Sequence, residues 1–456
     1  MFATVKNIHF VGIGGIGMSG IAEILLKEGF IITGSDMAKS ENTDYLEKHG
    51  AKIFIGHNED NVQSAEVVVY SSAVKPLENP ETAFALQHNI PLIRRAEMLS
   101  EVARLNYCLA VSGTHGKTTT TSMVSLILIR ANFDPTVIVG GRLKDFGGTN
   151  ARLGKGKWTI LEADEFDRSF LQLFPTVAIL NNIEAEHLDI YKDIEDLKDT
   201  FLEFANKVPF YGFVALGLDD ARNREIMSVI NKKVVTYGLS RHCDVRADKI
   251  VYDEKRTDFD VYQNGILLGR MLINIPGTHN VKNALGAITV ALGLGIDFET
   301  IKLALGEFNG VQRRFEFKGN YKGAMVVDDY AHHPSEVAVT LQAARNGWNR
   351  RVIGVFQPHT YTRTRDLYKE FGQCFDDADI IIITDVYAAR ETPIEGITGE
   401  LIANSAKKYG HKNVIYVENF DDILPIVEKI AEENDIILTL GAGSIYKVAN
   451  DLVNKK

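Results

Sequence analysis

A short loop between a predicted strand and a predicted helix carries the residues best suited to phosphate chemistry. Apolar residues 108–111 predict a buried strand, residues 112–118 (SGTHGKT) turn the chain, and a helix is predicted from Thr119. The two glycines of the turn let backbone N–H groups surround phosphate oxygens at the positive end of a helix. Lys117 would contact the β and γ phosphates, and the Thr118 hydroxyl would bind Mg²⁺. We therefore predict a nucleoside triphosphate site; a plain turn with a solvated lysine is the alternative, since valine replaces the first glycine of the longer pattern.

Carboxylates follow the next predicted buried strand, over residues 158–163. Glu162 and three further acids lie within 162–167, where a Mg²⁺ ligand is expected beside a phosphate loop. Helix capping and a solvated acidic turn would explain some of these acids. His187 follows a strand predicted over 177–180, and its position fits a metal or phosphate ligand as well as a structural histidine.

A second glycine-rich loop lies near the N-terminus. Residues 12–17 (GIGGIG) follow a strand predicted over 5–12 and open a predicted helix, and Asp36 comes about 20 residues later. In this dinucleotide pattern the glycines approach a pyrophosphate and the acid bonds ribose hydroxyls. A glycine-rich turn without a ligand is the alternative. Because this loop and the triphosphate loop occur in one chain, we expect two nucleotide-containing ligands, one of which supplies phosphoryl energy.

Two pairs of arginines are candidates for anion contacts. Arg94 and Arg95 follow a predicted strand and could meet a diphosphate, although solvated surface is the favoured interpretation. Arg313 and Arg314 lie in a glycine-bounded linker predicted over 306–317. Paired guanidinium groups there could clamp a transferring phosphate.

An antiparallel hairpin is predicted over residues 245–275, where apolar residues alternate and Asn264 and Gly265 supply the turn. A helix follows, on which Asn280 and Asn283 are spaced i and i+3 and share a face. This pair suits contacts with a nucleotide base, and helix capping is the alternative.

The remainder of the chain alternates strands with helices, which predicts a mostly parallel sheet covered on both faces. The predicted strands are 324–328, 351–356, 379–384, 413–417 and 435–440. Polar clusters follow several of these strands, at the edge where open α/β sheets bind ligands. The densest is DDYAHHP, residues 328–334, whose paired histidines and aspartates are hard to explain by packing.

Composition excludes several classes of protein. The chain has 456 residues, which suggests two to four domains, and a net charge of −10, which argues against a nucleic-acid partner. Its three cysteines lie far apart without metal-type spacing, as expected in a reducing compartment. With no signal peptide and no apolar run of membrane-spanning length, we expect a cytoplasmic protein without a membrane partner.

Taken together, the motifs resemble those of the Mur ligase family over nearly the whole chain. The resemblance rests on HFVGIGGIGMSGIA (9–22), SSAV with NPE (71–81), GTHGKTTTT (113–121), EADE (162–165), NNIEAEHLD (181–189), HNVKNA (279–284), RRFE (313–316), DDYAHHP (328–334), FQPHTYTRTRDLY (357–368) and VYAARE (386–391). It implies an α/β fold of three domains: a Rossmann-like UDP-binding domain (1–107), a P-loop ATPase-like central domain (108–312) and a Rossmann-like C-terminal domain (313–456).

The resemblance also implies a reaction. The lactyl carboxylate of UDP-N-acetylmuramate attacks the γ-phosphate of ATP, and the amine of L-alanine then displaces phosphate from the acyl phosphate. Two Mg²⁺ ions are expected with ATP, and the protein is expected to be a monomer or a homodimer. The alternative within the family is a recycling ligase that attaches a murein tripeptide to the same UDP-sugar.

The resemblance further implies roles for individual residues. Those implied in catalysis are Lys117, His187, Glu162 and Arg314. Those implied in ATP binding are Gly113, Thr114, His115, Gly116, Lys117, Thr118, Thr119, Asn280, Asn283, Arg314 and Asp328. Those implied in binding the UDP-sugar are Gly12, Gly14, Gly15, Gly17, Asp36 and Ser72, with Tyr330, His332, His359 and Arg363 around L-alanine. The implied metal ligands are Thr118, Glu162 and His187.

Three positions depart from the family pattern. Thr360 stands where one well-known form has arginine, which removes a positive charge facing the amino-acid carboxylate. Phe166 stands where a serine often follows EADE. Later ligases of the pathway carry a carbamylated lysine, and Lys198, the nearest candidate here, is in the wrong register.

Overall fold

The structure is a computed structural model, and it describes residues 5–104, 106–141, 149–185, 190–389 and 391–455. The strands form three sheets, and the chain divides into two compact units. The first unit consists of the described residues up to Asp248 together with Val261–Gly269 and Lys282–Phe308. The second consists of Lys249–Asp260, Arg270–Val281 and the described residues from Asn309 onward.

The N-terminal sheet is parallel and has the strand order β3-β2-β1-β4-β5. Its strands are β1 (Asn7–Val11), β2 (Ile31–Asp36), β3 (Lys52–Ile55), β4 (Val67–Tyr70) and β5 (Leu92–Arg94). The helices that accompany them are α1 (Ile16–Lys27), α2 (Glu41–Lys48), α3 (Pro80–Gln87), α4 (Arg95–Ala103) and the 3₁₀ helix Glu59–Val62. Asn79 caps α3 through its side-chain oxygen, with Pro80 in the first turn, as the sequence NPE favours.

The second sheet has ten strands. In chain order they are β6 (Tyr107–Ser112), β7 (Thr136–Ile138), β8 (Ala151–Arg152), β9 (Trp158–Glu162), β10 (Val177–Leu180), β11 (Phe213–Gly217), β12 (Val234–Gly238), β13 (Val245–Asp253), β14 (Arg256–Gln263) and β15 (Ile266–Ile273). They lie in the order β15-β14-β13-β12-β11-β10-β6-β9-β7-β8. The accompanying helices are α5 (Lys117–Arg130), α6 (Ile194–Asn206), α7 (Ala221–Met227), α8 (Thr278–Gly293), α9 (Phe298–Gly306) and the 3₁₀ helix Phe166–Gln172.

The third sheet lies in the second unit, in the order β16-β17-β21-β18-β19-β20. Its strands are β16 (Glu316–Tyr321), β17 (Ala324–Asp329), β18 (Val352–Phe356), β19 (Ile380–Thr384), β20 (Val414–Val417) and β21 (Ile436–Leu440). The helices are α10 (Pro334–Gly347), α11 (Tyr361–Gln373), α12 (Gly399–Lys408), α13 (Ile423–Ile430) and α14 (Tyr446–Asn454), with the 3₁₀ helix Phe420–Asp422. Strands β17 to β21 pair in parallel and are buried on both faces by two apolar clusters, as expected for a sheet between helix layers.

The predicted three-domain α/β architecture is confirmed, and two details differ. The linker predicted over 306–317 is shorter, because β16 begins at Glu316 and pairs antiparallel with β17. Helix α5 begins at Lys117, two residues before the predicted start at Thr119. The predicted turn at Asn264 and Gly265 connects β14 with β15, and both residues have the positive φ of a two-residue hairpin turn. The exact domain boundaries stay a prediction. Within the described part of the chain, every helix is too short or too polar to span a membrane.

Candidate active site

The loop between β6 and α5 has the backbone conformation that its glycines permit. Gly113 and Gly116 have φ values of 134° and 80°, in the left-handed region that side chains disfavour. A Cβ at Gly113 would lie 2.9 Å from the Cβ of Asn181. The turn therefore requires glycine at these positions, and it ends in a helix N-terminus whose amides are suited to phosphate oxygens.

Side chains from neighbouring strands hold this loop in place. Asn182 accepts a hydrogen bond from the His115 backbone N–H through Oδ1 (2.8 Å), and Asn181 donates from Nδ2 to the His115 carbonyl (3.1 Å). The Tyr237 hydroxyl, at the end of β12, donates to Asn181 Oδ1 (2.7 Å). Because these partners follow β10 and β12, the conformation of the loop depends on the assembled sheet.

Lys117 forms a buried ion pair beneath the loop. Its Nζ lies 2.8 Å and 3.1 Å from the two carboxylate oxygens of Glu165 and donates to the carbonyl of Gly113 (2.8 Å). The Glu165 side chain is only 1% exposed. Burial raises the pKa of Glu165, and the charge of Lys117 opposes that rise. The ammonium group of Lys117 is thus held at the phosphate loop by the carboxylate of Glu165.

Glu162 provides the donor set for a divalent cation. The Thr118 hydroxyl donates to Glu162 Oε2 (3.2 Å), and the Gly140 backbone N–H donates to Oε1 (2.6 Å). Strand β9, which ends at Glu162, pairs in parallel with β6, so both groups reach the same edge of the sheet. Burial raises the pKa of Glu162, which therefore favours a neighbouring cation. A hydroxyl and a carboxylate are hard oxygen ligands, and they fit Mg²⁺.

The remaining residues predicted around ATP fall in different places. The Thr120 hydroxyl, one turn into α5, donates to Asn283 Oδ1 (3.3 Å), so Asn283 lies beside the phosphate loop. In the second unit, Asn280 donates from Nδ2 to the Pro276 carbonyl (2.7 Å), and its predicted contact with ATP stays a prediction. His187, predicted as a metal ligand, lies outside the described residues.

The N-terminal glycine loop is fixed by the end of β2. Gly12 and Ile13 donate their N–H groups to the Ser35 carbonyl (2.8 and 3.0 Å), and Gly14 donates to Asp36 Oδ2 (2.8 Å). The backbone N–H of Met37 donates to the other oxygen of Asp36. The Asp36 carboxylate therefore has a structural role in the loop, in addition to the ribose contact that the sequence predicts.

A cavity of about 270 Å³ lies in the first unit, and among the charged residues of its lining the basic ones outnumber the acidic ones. Its charged residues are Lys75, Arg94, Arg95, Glu97, Asp167 and Arg168, and Ser72 and Phe166 also line it. Arg95 packs over Gly17 of the glycine loop, where a Cβ would lie 2.8 Å from Nη1. Arg94 is 62% exposed, as predicted, yet it also lines the cavity. The lining suits an anionic ligand that continues from the glycine loop.

In the second unit, charged side chains gather after β17. Arg313 donates from Nε to Asp328 Oδ2 (2.9 Å) and from Nη2 to the Gly441 carbonyl (2.7 Å). The guanidinium of Arg314 lies 3.5 Å from Glu336 and 5.5 Å from the centroid of the Tyr330 ring. Burial raises the pKa of Asp328, and the charge of Arg313 opposes that rise. Asp328 is therefore tied to its own domain, and its predicted contact with ATP stays a prediction.

A cluster of polar rings includes the predicted amino-acid contacts. The rings of His332 and His359 are 5.7 Å apart, and His359 stacks on Tyr387 at 5.8 Å. Arg363 Nη1 lies 3.4 Å from His359 Nδ1, so this ring nitrogen is an acceptor. Burial, together with the charges of His332 and Arg363, lowers the pKa of His359 to about 4. His359 is therefore neutral at pH 7.

His359 gives the fold a measurable sensitivity to acid. The unfolded chain binds a proton at His359 near pH 6.5, whereas the folded chain does so only near pH 4. The free energy of unfolding should therefore fall as the pH drops from 6.5 to 4. We expect His359→Gln to reduce this fall, measured by urea denaturation of both proteins across that range. At each pH the free energies of unfolding of the two proteins are subtracted, and their difference at pH 7.5 serves as the reference. A pH-independent difference between them would contradict the prediction.

Lys198 does not have the surroundings of a carbamylated lysine. Its Nζ lies 2.8 Å from Glu195 and 2.5 Å from Glu225. These hydrogen bonds raise the pKa of Lys198, which keeps the amine protonated and unreactive toward carbon dioxide.

Several residues around the loops were not assigned a role from the sequence. Asn181, Asn182 and Glu165 belong to motifs that were recognised, and Tyr237 belongs to none. The signal for the asparagines was their position directly after a buried strand, where polar side chains reach the ligand edge of a parallel sheet. The sequence indicated a role for Glu165 less strongly, because it is one of four acidic residues within a stretch of six.

Comparison with known proteins extends over the whole chain. Residues 7–107 match the Mur ligase family, catalytic domain, residues 111–291 the Mur ligase middle domain, and residues 313–443 the Mur ligase, glutamate ligase domain. A UDP-N-acetylmuramate–L-alanine ligase of Geotalea uraniireducens is 50% identical over 455 residues, which are 100% of this chain and 99% of the relative.

Solved structures agree with the sequence relatives. A UDP-N-acetylmuramate–alanine ligase of Thermotoga maritima superposes with a TM-score of 0.83 at 31% identity, covering 99% of each chain. A murein peptide ligase of Psychrobacter arcticus gives a TM-score of 0.71 at 25% identity, covering 98% of each chain. With its three matched domains and its full-length relatives, the chain belongs to the Mur ligase family.

Proposed function

We propose that this protein is an ATP-dependent ligase that joins L-alanine to the lactyl carboxylate of UDP-N-acetylmuramate. The observation that carries the proposal is the phosphate loop, in which Lys117 and Thr118 face the carboxylates of Glu165 and Glu162. The full-length likeness to alanine ligases supports the choice of substrates. The reaction is the first addition of an amino acid in peptidoglycan synthesis, and we place it in the cytoplasm, where ATP is available.

The phosphate loop binds ATP. Its backbone amides surround the phosphates, and Lys117 moves from the carbonyls of the loop to the β and γ oxygens. Asn283 lies beside the loop through its contact with Thr120 and faces the nucleotide. The carboxylate of Glu165, whose side chain is only 1% exposed, holds Lys117 close to the loop through their ion pair.

Thr118 and Glu162 would hold one Mg²⁺, and Glu162 with His187 would hold a second. When bound, the ions would neutralise charge on the phosphates and on the acceptor carboxylate. Thr118 already directs its hydroxyl to Glu162, so the two ligands lie side by side. The Gly140 N–H fixes the orientation of the Glu162 carboxylate.

The UDP-sugar lies over the N-terminal sheet. The loop of residues 12–17 approaches the diphosphate, and the basic lining of the adjacent cavity, including Arg94 and Arg168, faces the anionic ligand. Ser72 contributes a hydroxyl to the same cavity. This arrangement presents the lactyl carboxylate to the phosphate loop.

The chemistry requires alignment of two anions followed by attack of an amine. The carboxylate oxygen forms a bond to the γ-phosphorus as the bond to ADP breaks, which gives an acyl phosphate. The alanine amine then attacks the acyl carbon, loses a proton, and phosphate leaves from the tetrahedral intermediate. Arg314 neutralises developing negative charge. Tyr330, His332, His359 and Arg363 bind the amino acid, for which a neutral His359, whose Nδ1 accepts from Arg363, offers a donor at Nε2.

Release of phosphate tests this proposal directly. We expect release to require ATP, Mg²⁺ and UDP-N-acetylmuramate, and to be greatest with L-alanine when glycine, L-serine and the murein tripeptide are compared. Thr360 makes the comparison of amino acids informative, since it leaves one fewer positive charge at the amino-acid site. Release with the tripeptide alone would assign the recycling reaction instead. No release with any acceptor would overturn the proposed function.

A further inference from the structure

The N-terminal domain contains a buried polar network that the proposed function does not use. Its centre is the carboxylate of Glu81, the acid of the NPE motif, which is 0% exposed. Ser35 donates to one oxygen of this carboxylate through its hydroxyl, and His57 Nδ1 lies 3.3 Å from the same oxygen. Asn61 donates to the other oxygen from Nδ2 (2.6 Å). A fully buried side chain is here surrounded by polar partners.

Glu81 retains its negative charge in these surroundings. Burial acts to raise the pKa of Glu81, but the neighbouring His9, together with hydrogen bonds from Ser35 and Asn61, outweighs it and lowers the pKa to about 2. His9 Nε2 lies 3.5 Å from the carboxylate, and its Nδ1 lies 2.7 Å from the Thr33 hydroxyl. A buried charge that is so fully bonded fixes the geometry of the groups around it.

Glu81 and its partners lie on, or directly after, four adjacent strands. His9 lies on β1 and Ser35 on β2, Asn58 and Asn61 follow β3, and Glu81 opens the helix that follows β4. These strands are neighbours in the order β3-β2-β1-β4. The network therefore joins elements at the carboxyl edge of the sheet, where open α/β sheets bind nucleotides.

Ser35 connects this network to the glycine loop. Its hydroxyl contacts Glu81, while its backbone carbonyl accepts the N–H groups of Gly12 (2.8 Å) and Ile13 (3.0 Å). The next residue, Asp36, accepts the N–H of Gly14. The position of the glycine loop is thus set by β2, and the end of β2 is set by Glu81.

We propose that Glu81 is a positioning residue for the nucleotide half of the UDP-sugar, acting through Ser35 on the glycine loop. The inference rests on the proposed function, because it takes UDP as the ligand of that loop. It does not require the ligation reaction itself. Glu81 is fully buried and bonds Ser35, so its influence on the glycine loop passes through that residue.

Binding of UDP to the full-length protein, measured by calorimetry, tests the inference. We expect Glu81→Gln to weaken UDP binding at least tenfold. The NH₂ group of the glutamine would face a donor, Ser35 or Asn61, where the carboxylate now offers an acceptor oxygen. Ser35→Ala, which removes the hydroxyl that bonds Glu81 but keeps the backbone carbonyl that holds the glycine loop, should give a similar loss. Both variants should bind a non-hydrolysable ATP analogue as the wild type does. In turnover, KM for the UDP-sugar should rise while kcat changes little.

A matched variant separates positioning from general weakening of the domain. Glu66 also bonds backbone amides of this domain, those of Lys6 (2.7 Å) and Asn7 (2.8 Å), but at the amino end of β1. Glu66→Gln should leave UDP affinity unchanged. Equal losses in the Glu66 and Glu81 variants, or unchanged UDP affinity in Glu81→Gln, would overturn the inference while leaving the ligase reaction intact. Failure of the wild type to bind UDP or the UDP-sugar would instead contradict the proposed function.

Discussion

Replacing Lys117 with alanine is expected to lower kcat by about three orders of magnitude, with binding of the UDP-sugar retained. Removing a single charge-stabilising donor from an active site typically costs between a hundredfold and a thousandfold in rate, and Lys117 serves both the binding and the transfer of phosphate. The UDP-sugar should bind normally because the glycine loop and the basic cavity do not include Lys117. The measurements are phosphate release and calorimetry with the UDP-sugar.

Two further variants make the Lys117 result specific. Lys117→Met keeps the aliphatic stem without the charge, and the buried Glu165 can then take up a proton, so the fold should persist. Lys302→Ala removes an exposed lysine of α9 that pairs with Glu299 at 3.9 Å, and its turnover should match the wild type. Comparable turnover in Lys117→Ala and wild type would remove the catalytic role of this lysine.

Glu162→Gln should produce the second large loss, and it should change the response to magnesium. Glutamine keeps the acceptor for the Gly140 N–H but loses the negative charge that a divalent cation requires. We expect phosphate release to fall by about a hundredfold or more, and the Mg²⁺ concentration for half-maximal rate to rise about tenfold. A magnesium titration of phosphate release measures both.

The control for Glu162 is an acid that lies away from the loop. Glu203 on α6 is 58% exposed and pairs with Lys207 at 3.4 Å, so Glu203→Gln should leave the titration unchanged. An unaltered magnesium curve in Glu162→Gln would show that this residue is not a metal ligand. A lower rate with an unaltered curve would leave Glu162 a role in orienting the loop only.

The phosphate loop could be predicted from the sequence because its determinants are local. Two glycines, a lysine and a threonine within a few residues specify the turn, and the structure has the predicted strand and helix on either side. The partners of the loop could not be assigned in this way. Lys117 and Glu165 are 48 residues apart, and they meet because β6 and β9 are neighbours in the sheet. No spacing rule in the sequence states which strands will be adjacent.

Strand β16 was missed for a related reason. Its sequence, EFKGNY, contains glycine and asparagine and has little strand preference of its own. Its antiparallel pairing with β17, which includes a shift in register between Phe317 and Gly319, supplies the backbone hydrogen bonds that stabilise it as a strand. The conformation of such an edge strand depends on the sheet that it joins. The local sequence pattern, taken alone, therefore predicts a linker here.

The bracing of the phosphate loop by Asn181, Asn182 and Tyr237 has a thermodynamic consequence. A flexible loop would lose conformational entropy when it closed around a ligand, and that loss would weaken the ligand's affinity. Here the loop is ordered by side chains that reach it from β10 and β12, so the entropy is lost when the domain folds. The affinity for nucleotide therefore depends on side chains that order the loop. A substitution at Tyr237 would weaken nucleotide binding by increasing the flexibility of the loop rather than by removing a contact with the nucleotide.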